Sequence, residues 1–253
     1  MLHRKVRLGI SQSGFFRLSS LLILICSIFA AYQIAAAGCV ESIEKIREMK
    51  IFAVGMNYAQ HNKELLGTLL KPENPVIFMK PDSALLKDHK PFFIPDDLGR
   101  IEYEAEVVVR ICRLGKTISE RFAHRYYDAV TLGIDFTARE LQQKLRSAGQ
   151  PWELSKGFDG AAALGDWIDV GKFRNIQALN FHLDINGKTV QEGFTGEMLY
   201  KIDELIAYIS RYFTLKTGDI LYTGTPAGTG VVKVNDHLEG YLANRKVLEM
   251  NCK

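Results

Sequence analysis

The stretch IEYEAEVVVRI, residues 101–111, decides how the rest of the chain is read. Glu102, Glu104 and Glu106 alternate with Tyr103, Ala105 and Val107, and a β-branched run follows. Side chains two apart on a strand share a face, so one strand over Glu102–Cys112 would aim three carboxylates the same way. Like charges that close repel and resist desolvation unless a cation or solvent compensates them. Two readings stand at this point. In one, the acids are half of a site for a hard divalent cation, which prefers carboxylate oxygens. In the other, they are a solvated edge-strand face that guards against aggregation.

Outward from this strand the chain is ordinary in composition. It has 253 residues, 47% hydrophobic and 24% charged, with a formal net charge of +3. Residues 1–48 carry six basic residues (Arg4, Lys5, Arg7, Arg17, Lys45, Arg47) against Glu41, Glu44 and Glu48, which accounts for the whole excess. The body from Met49 onward is neutral, so composition gives no argument for nucleic-acid binding. We expect two regions: an N-terminal extension over 1–48 and one domain over 49–253.

The first 40 residues hold no acid, and a charge-free run from Leu18 to Val40 ends in Ala35-Ala36-Ala37-Gly38-Cys39. That layout fits an export signal, a single membrane anchor, or a lipoprotein-like processing site. It also fits an upstream extension, with Met49 as the working start. Cysteine usage points to a reducing compartment: of Cys26, Cys39, Cys112 and Cys252, only two lie in the body, with no CxxC and no disulfide framework. The expected location is cytoplasmic, with anchoring or export through residues 1–40 as the alternative.

Strands are expected at Ile51–Gly55, Val76–Lys80, Phe92–Pro95, Glu102–Cys112, Ala129–Asp135, Phe181–Ile185 and Asp219–Thr223. Asn186-Gly187 is a hairpin-turn signal. Helices are expected over about Ser119–Asp128, Thr137–Ala148 and Lys201–Tyr212, the last with Ile202, Leu205, Ile206 and Ile209 as its apolar stripe. Thr137-Ala138-Arg139-Glu140 has capping-box form. Strands outnumber helices and alternate irregularly with them, so the fold class is α+β, predominantly β.

Candidate chemistry lies at a few further positions. Asp135 ends an apolar strand just before a helix, where an acid also serves the helix N-terminus. Arg139 and Gln142 share a helix face and could grip a carboxylate or carbonyl. Lys156, in PWELSKGFDG, is either a surface residue by a turn or an ammonium aimed at developing negative charge. His61 and Glu64 are spaced i, i+3, which suits an imidazole set by a carboxylate and suits an exposed pair equally. LYTGTPAGTGVV, 221–232, is Gly-rich but has neither the lysine nor the spacing of a phosphate loop.

In order, VGMNYAQHNKE, FMKPDSALL, IEYEAEVVV, GIDFTARELQ, PWELSKGFD, QEGFTGEM and GDILYTGTPAGTG together resemble the fumarylacetoacetate hydrolase superfamily, in particular its small single-domain acylpyruvase-like and oxaloacetate decarboxylase-like members. The resemblance runs from Met49 to the C-terminus. It implies a mixed β-roll or sandwich with a few helices, usually a homodimer. It implies Glu104, Glu106 and Asp135 as ligands of Mg²⁺ or Mn²⁺, with Glu102 outside that set. It implies Lys156 as the active-site lysine, Arg139, Gln142 and Thr225 as substrate contacts, and His61 with Glu64 as the pair that positions water. The chain departs from the family pattern at Met56, where many members carry arginine, so no contact needing a cation there carries over.

The function so implied is a metal-dependent hydrolase or lyase. It would cleave C–C bonds of acylpyruvate-like 2,4-diketo acids or decarboxylate oxaloacetate through an enolate. The alternatives are a 2-hydroxyhepta-2,4-diene-1,7-dioate isomerase or hydratase, and a non-catalytic membrane-anchored binder that retains the fold.

Overall fold

The computed structural model describes residues 49–253. The expectations for residues 1–48 lie outside the described residues. No helix among those described is long and apolar enough to cross a membrane.

In chain order the strands are β1 (Ile51–Gly55), β2 (Val76–Lys80), β3 (Leu85–Leu86), β4 (Ile101–Tyr103), β5 (Ala105–Ile111), β6 (Tyr127–Asp135), β7 (Thr137–Ala138), β8 (Ala162–Leu164), β9 (Ile168–Asp169), β10 (Asn180–Ile185), β11 (Lys188–Phe194), β12 (Ile220–Tyr222), β13 (Gly230–Val231), β14 (His237–Leu242) and β15 (Arg245–Asn251). The helices are α1 (Ala59–Leu66), α2 (Glu120–Ala123), α3 (Arg139–Ser147), α4 (Glu153–Lys156) and α5 (Ile202–Tyr212). A mixed sheet runs β2-β1-β12-β5-β6-β8-β3, with β9 on β6. A four-stranded sheet runs β11-β10-β14-β15, and a three-stranded one β13-β4-β7. This is the expected α+β, mostly β architecture.

The large sheet is buried on both faces, as its unbroken apolar runs require. Val107 and Val109 of β5 join one core cluster with Leu132 and with Ile202, Leu205, Ile206 and Ile209 of α5. Val108 points the other way, to Ile51, Ala53, Ile220 and Tyr222. The α5 stripe is thus placed as read. Its first turn is closed by the Glu204 carboxylate, which accepts from the Lys201 backbone N–H at 2.7 Å. The Asn186-Gly187 turn joins β10 to β11 with both residues at positive φ, 53° and 75°.

Four expectations change. The strand over Glu102–Cys112 is two strands in two sheets, broken at Glu104. There the Glu104 carbonyl accepts from Asp135 N at 2.8 Å, and Ala105 N donates to the Gln191 side chain at 2.9 Å. The segment Phe92–Pro95 forms no strand of its own but a bridge, Phe92 to Cys252, in which Phe92 N donates to Asn251 O and Ile94 N to Lys253 O, each at 2.8 Å. The helix over Ser119–Asp128 stops at Ala123, since Tyr127 and Asp128 are taken into β6 beside β5. The capping box at Thr137 does not form. Thr137 and Ala138 pair with β4, and the Thr137 hydroxyl serves a buried lysine instead.

The turn from β1 into α1 is pinned by Asn57, 1% exposed. Its Nδ2 donates to Tyr200 O at 3.0 Å and Thr223 O at 2.8 Å, and its Oδ1 accepts from Tyr200 N at 2.7 Å. Each such buried partner left unsatisfied costs on the order of 1–3 kcal/mol. Asn57→Ala should therefore lower the unfolding free energy by about 3 kcal/mol, measured in urea, with an unchanged far-UV spectrum. A loss under about 0.5 kcal/mol would show that the pin is not structural.

Candidate active site

Register places the acids. Ala105 pairs with Ile134 and Glu106 with Gly133, so Glu104 lies opposite Asp135 and shares a face with Glu106. Oxygens of Glu104, Glu106 and Asp135 lie within 4.8 Å of one another, and all three residues are buried. Glu102 stands outside this group, held by Arg139 Nε at 2.6 Å and Arg100 Nε at 3.3 Å.

Cations from other elements complete the cluster. Lys156, at the end of α4, donates to Glu104 Oε2 at 2.7 Å, Asp135 Oδ2 at 2.9 Å and the Thr137 hydroxyl at 2.7 Å. Lys80, at the end of β2, donates to Asp135 Oδ1 at 2.7 Å and to the carbonyls of Lys156 and Ala161. Arg139 spreads its donors over Glu102, Glu104 and the Gln142 side-chain oxygen. Four carboxylates therefore face three buried cations.

The balance sets the protonation states. Burial alone would raise the Glu104 pKa, but Lys156 and Arg139 outweigh it and hold this carboxyl well below the usual range. Glu106 has no such partner. Burial, then the charges of Asp135 and Glu104, push it well above the usual carboxylate value, against the more distant Lys156 charge and one backbone donor, Gly224 N at 2.7 Å. The two lysines diverge. Burial dominates at Lys80 and lowers its pKa despite Asp135. At Lys156 burial is outweighed by Asp135 and Glu104, and the pKa rises.

The donor set suits a hard divalent cation. Each oxygen of Glu104 and Asp135 accepts one side-chain hydrogen bond and keeps a lone pair, and Glu106 crowds beside them with a carboxyl that a cation would favour in its ionised form.

The loop after β12 forms another wall. Gly224 has φ 98°, and a Cβ there would lie 2.7 Å from Asn57 Cβ, so both backbone and space require glycine. The Thr225 hydroxyl donates to Ala105 O at 2.9 Å and accepts from Gln191 Nε2 at 2.8 Å. Thr225 lines the cleft with its proton already given to the protein, so toward a ligand it can only accept. His61 is 4% exposed and its Nδ1 has no hydrogen-bond partner. Burial lowers its pKa below 6.5, and of the neighbouring charges Glu104 and, less strongly, Glu64 oppose this while Arg139 and Lys156 reinforce it. The Glu64 carboxylate stands 3.7 Å from that nitrogen, beyond hydrogen-bond range. It accepts from Gly228 N at 3.1 Å instead.

The cleft is narrow and open to solvent, and it gathers His61, Glu104, Glu106, Asp135, Arg139, Gln142, Lys156 and Thr225 at its walls, with Glu64 outside the lining. Sequence reasoning missed Lys80, Gln191 and Arg146. For Lys80 a signal existed: a lysine closing the apolar strand VIFMK just before Pro81. Gln191 and Arg146 look like ordinary polar residues of a hairpin and a helix.

The family model described as fumarylacetoacetate (FAA) hydrolase C-terminal matches residues 50–253. The chain is 38% identical to oxaloacetate tautomerase of Escherichia coli over 204 residues, 79% of this chain and 92% of that protein. It is 36% identical to the mitochondrial oxaloacetate tautomerase of Rattus norvegicus over 189 residues, 75% of this chain and 85% of that one. Fumarylpyruvate hydrolase from Pseudomonas aeruginosa, solved with Mn²⁺ and pyruvate, superposes with a TM-score of 0.76 at 29% identity, covering 80% of this chain and 88% of that chain. With its motifs, sheet topology and acid cluster in that register, the chain belongs to the fumarylacetoacetate hydrolase family and is an enzyme of that family.

Proposed function

We propose that this enzyme interconverts the keto and enol forms of a small 2-oxo acid, with oxaloacetate as substrate and Mg²⁺ or Mn²⁺ held by Glu104, Glu106 and Asp135. The observation that carries this reading is the pairing, in one cleft, of a buried neutral imidazole with no partner on Nδ1 and an ammonium fixed among carboxylates. The likeness to oxaloacetate tautomerases supports the choice of substrate. The divalent ion, when bound, supplies Lewis-acid polarisation of the carbonyl and orients the acid.

The chain's own groups do the rest. His61 in its neutral form accepts the proton from the carbon next to the carbonyl, and that proton ends on the carbonyl oxygen. Lys156, kept charged by Asp135 and Glu104, exchanges its hydrogen bond to the Thr137 hydroxyl for one to the oxygen on which negative charge develops. Met56, Leu65, Phe78 and Trp152 line the cleft and shield that step from solvent.

Hydrolysis of an acylpyruvate is the second reading, supported by the match to fumarylpyruvate hydrolase. It requires His61 and Glu64 to hold a water between them, and here Glu64 is engaged by Gly228. Ultraviolet decay of enol-oxaloacetate, run beside pyruvate release from a short acylpyruvate, separates the two. Enzyme-dependent enol decay without pyruvate is expected, and pyruvate release alone would replace the first reading with the second. His61→Ala should lower kcat about 10²- to 10⁴-fold. With metal saturating, the acid limb of kcat/KM should fall below pH 6.5, because the proton that disables the imidazole binds less readily to a buried ring.

The metal assignment has its own check. Glu106 is protonated over a wider pH range than a free glutamate, and ligation needs its carboxylate. Mg²⁺ affinity should therefore rise about tenfold per pH unit while the pH is below that pKa, with one proton released per ion in calorimetry. Glu106→Gln should keep the metal-free melting temperature and lose the increment that Mg²⁺ gives the wild type. Metal stabilisation that survives this substitution would remove Glu106 from the ligand set.

A further inference from the structure

At the deep end of the cleft every cation is already matched to an acid: Lys80 to Asp135, Lys156 to Asp135 and Glu104, and Arg139 to Glu102 and Glu104. Arg146 is different. It lines the same cleft, is exposed, and its guanidinium has no hydrogen-bond or ion-pair partner among the described residues. On α3 it follows Gln142 by four residues and Arg139 by seven, which places all three on one stripe of the helix. Seven residues at about 1.5 Å each put it roughly 10 Å farther along the helix axis than Arg139, toward the mouth. Val54, Met56, Leu65 and Phe78, which also line the cleft, offer no charge.

A 2-oxo acid whose reacting end lies at the acid cluster has its other end in the same cleft, and the long Arg146 side chain, which on a helix leans back toward the N-terminus, lines that cleft from the mouth. If that end carries a carboxylate, it meets the one lining guanidinium that no acid of the protein already holds, in a geometry that allows two parallel hydrogen bonds. If it carries none, Arg146 gains nothing. We propose that Arg146 is the residue that selects acids with a second, distal carboxylate over acids with one. This rests on the proposed 2-oxo acid chemistry for the orientation of the substrate and for nothing else.

A charge-assisted hydrogen bond is at its strongest where it is buried. At an exposed mouth, screening reduces it, so the expected preference is about tenfold. The test uses the full-length chain with Mg²⁺ and two pairs of compounds that differ at the far end. Kinetics compare oxaloacetate with its 4-ethyl ester, and calorimetry compares binding of malate with 2-hydroxybutyrate. In the wild type the two-carboxylate member of each pair should be favoured about tenfold, in KM and Kd rather than kcat, and the margin should shrink with added salt. Arg146→Met should bring both ratios to about one, and Arg146→Lys should keep part of each.

A wild type that binds malate and 2-hydroxybutyrate equally, or a ratio that survives Arg146→Met, overturns the proposal. A wild type that turns over neither kinetic substrate yet binds malate tighter in an Arg146-dependent way defeats the proposed reaction and leaves this selection in place.

Discussion

A carboxylate enclosed in a β-sheet core is tolerable only beside a cation or a proton, and this fold gathers five elements around that constraint. β2 brings Lys80, β5 with the residue before it brings Glu106 and Glu104, β6 brings Asp135, α3 brings Arg139 and α4 brings Lys156. Removing one partner from a buried ion pair costs about 3–5 kcal/mol, because it strands the other charge. The cluster thus ties sheet to helices while leaving one acid short of a cation. That shortfall falls on Glu106, whose carboxyl carries a single backbone donor. A protein built only for stability would fill the position with an apolar side chain of the same volume, so the deficit is best understood as room for an added positive charge.

The same cluster separates two lysines that look alike in sequence. Lys80 is fully enclosed, touches one carboxylate and two carbonyls, and burial lowers its pKa. Lys156 touches two carboxylates and a hydroxyl, and its pKa is raised. An ammonium so held stays charged at neutral pH, which makes it a hydrogen-bond donor and disqualifies it as a proton acceptor. In the proposed reaction, basicity in the cleft then falls to His61, which burial keeps neutral. Environment alone has divided the work between two nitrogen groups.

Much of this was legible in the chain because it is written in local patterns. The E-x-E alternation, the acid closing AVTLGID, the Asn186-Gly187 turn and the α5 stripe are each decided within a few residues. What escaped depends on partners far away. The break at Glu104 is forced by Gln191 and Asp135, 87 and 31 positions along the chain, not by any residue in IEYEAEVVV. Thr137 has the form of a helix cap, yet Lys156 Nζ lies 2.7 Å from its hydroxyl, and a buried ammonium needs that acceptor more than an exposed first turn does. Lys80 and Arg146 are hidden for opposite reasons. One is a charged residue with every proton engaged in the interior, the other a charged residue on a helix surface that happens to border a cleft.

Backbone strain at the rim fits this division. Met56 holds φ 61° without the freedom of glycine, a conformation that persists only where its surroundings over-determine it. They do so from both sides. Asn57 is fixed to Tyr200 and Thr223, while Asn62 of α1 donates to Met56 O at 3.0 Å and Leu70 O at 2.6 Å. These amides lock the start of α1, and with it His61, to the sheet. Glu64 is less restrained, being half exposed and held to Gly228 by a long bond. The imidazole is therefore positioned by the fold, whereas its carboxylate neighbour is free to exchange Gly228 for another donor. A reaction that needs only the imidazole can proceed in the arrangement observed, and one that needs both groups must first break the contact to the Gly-rich loop.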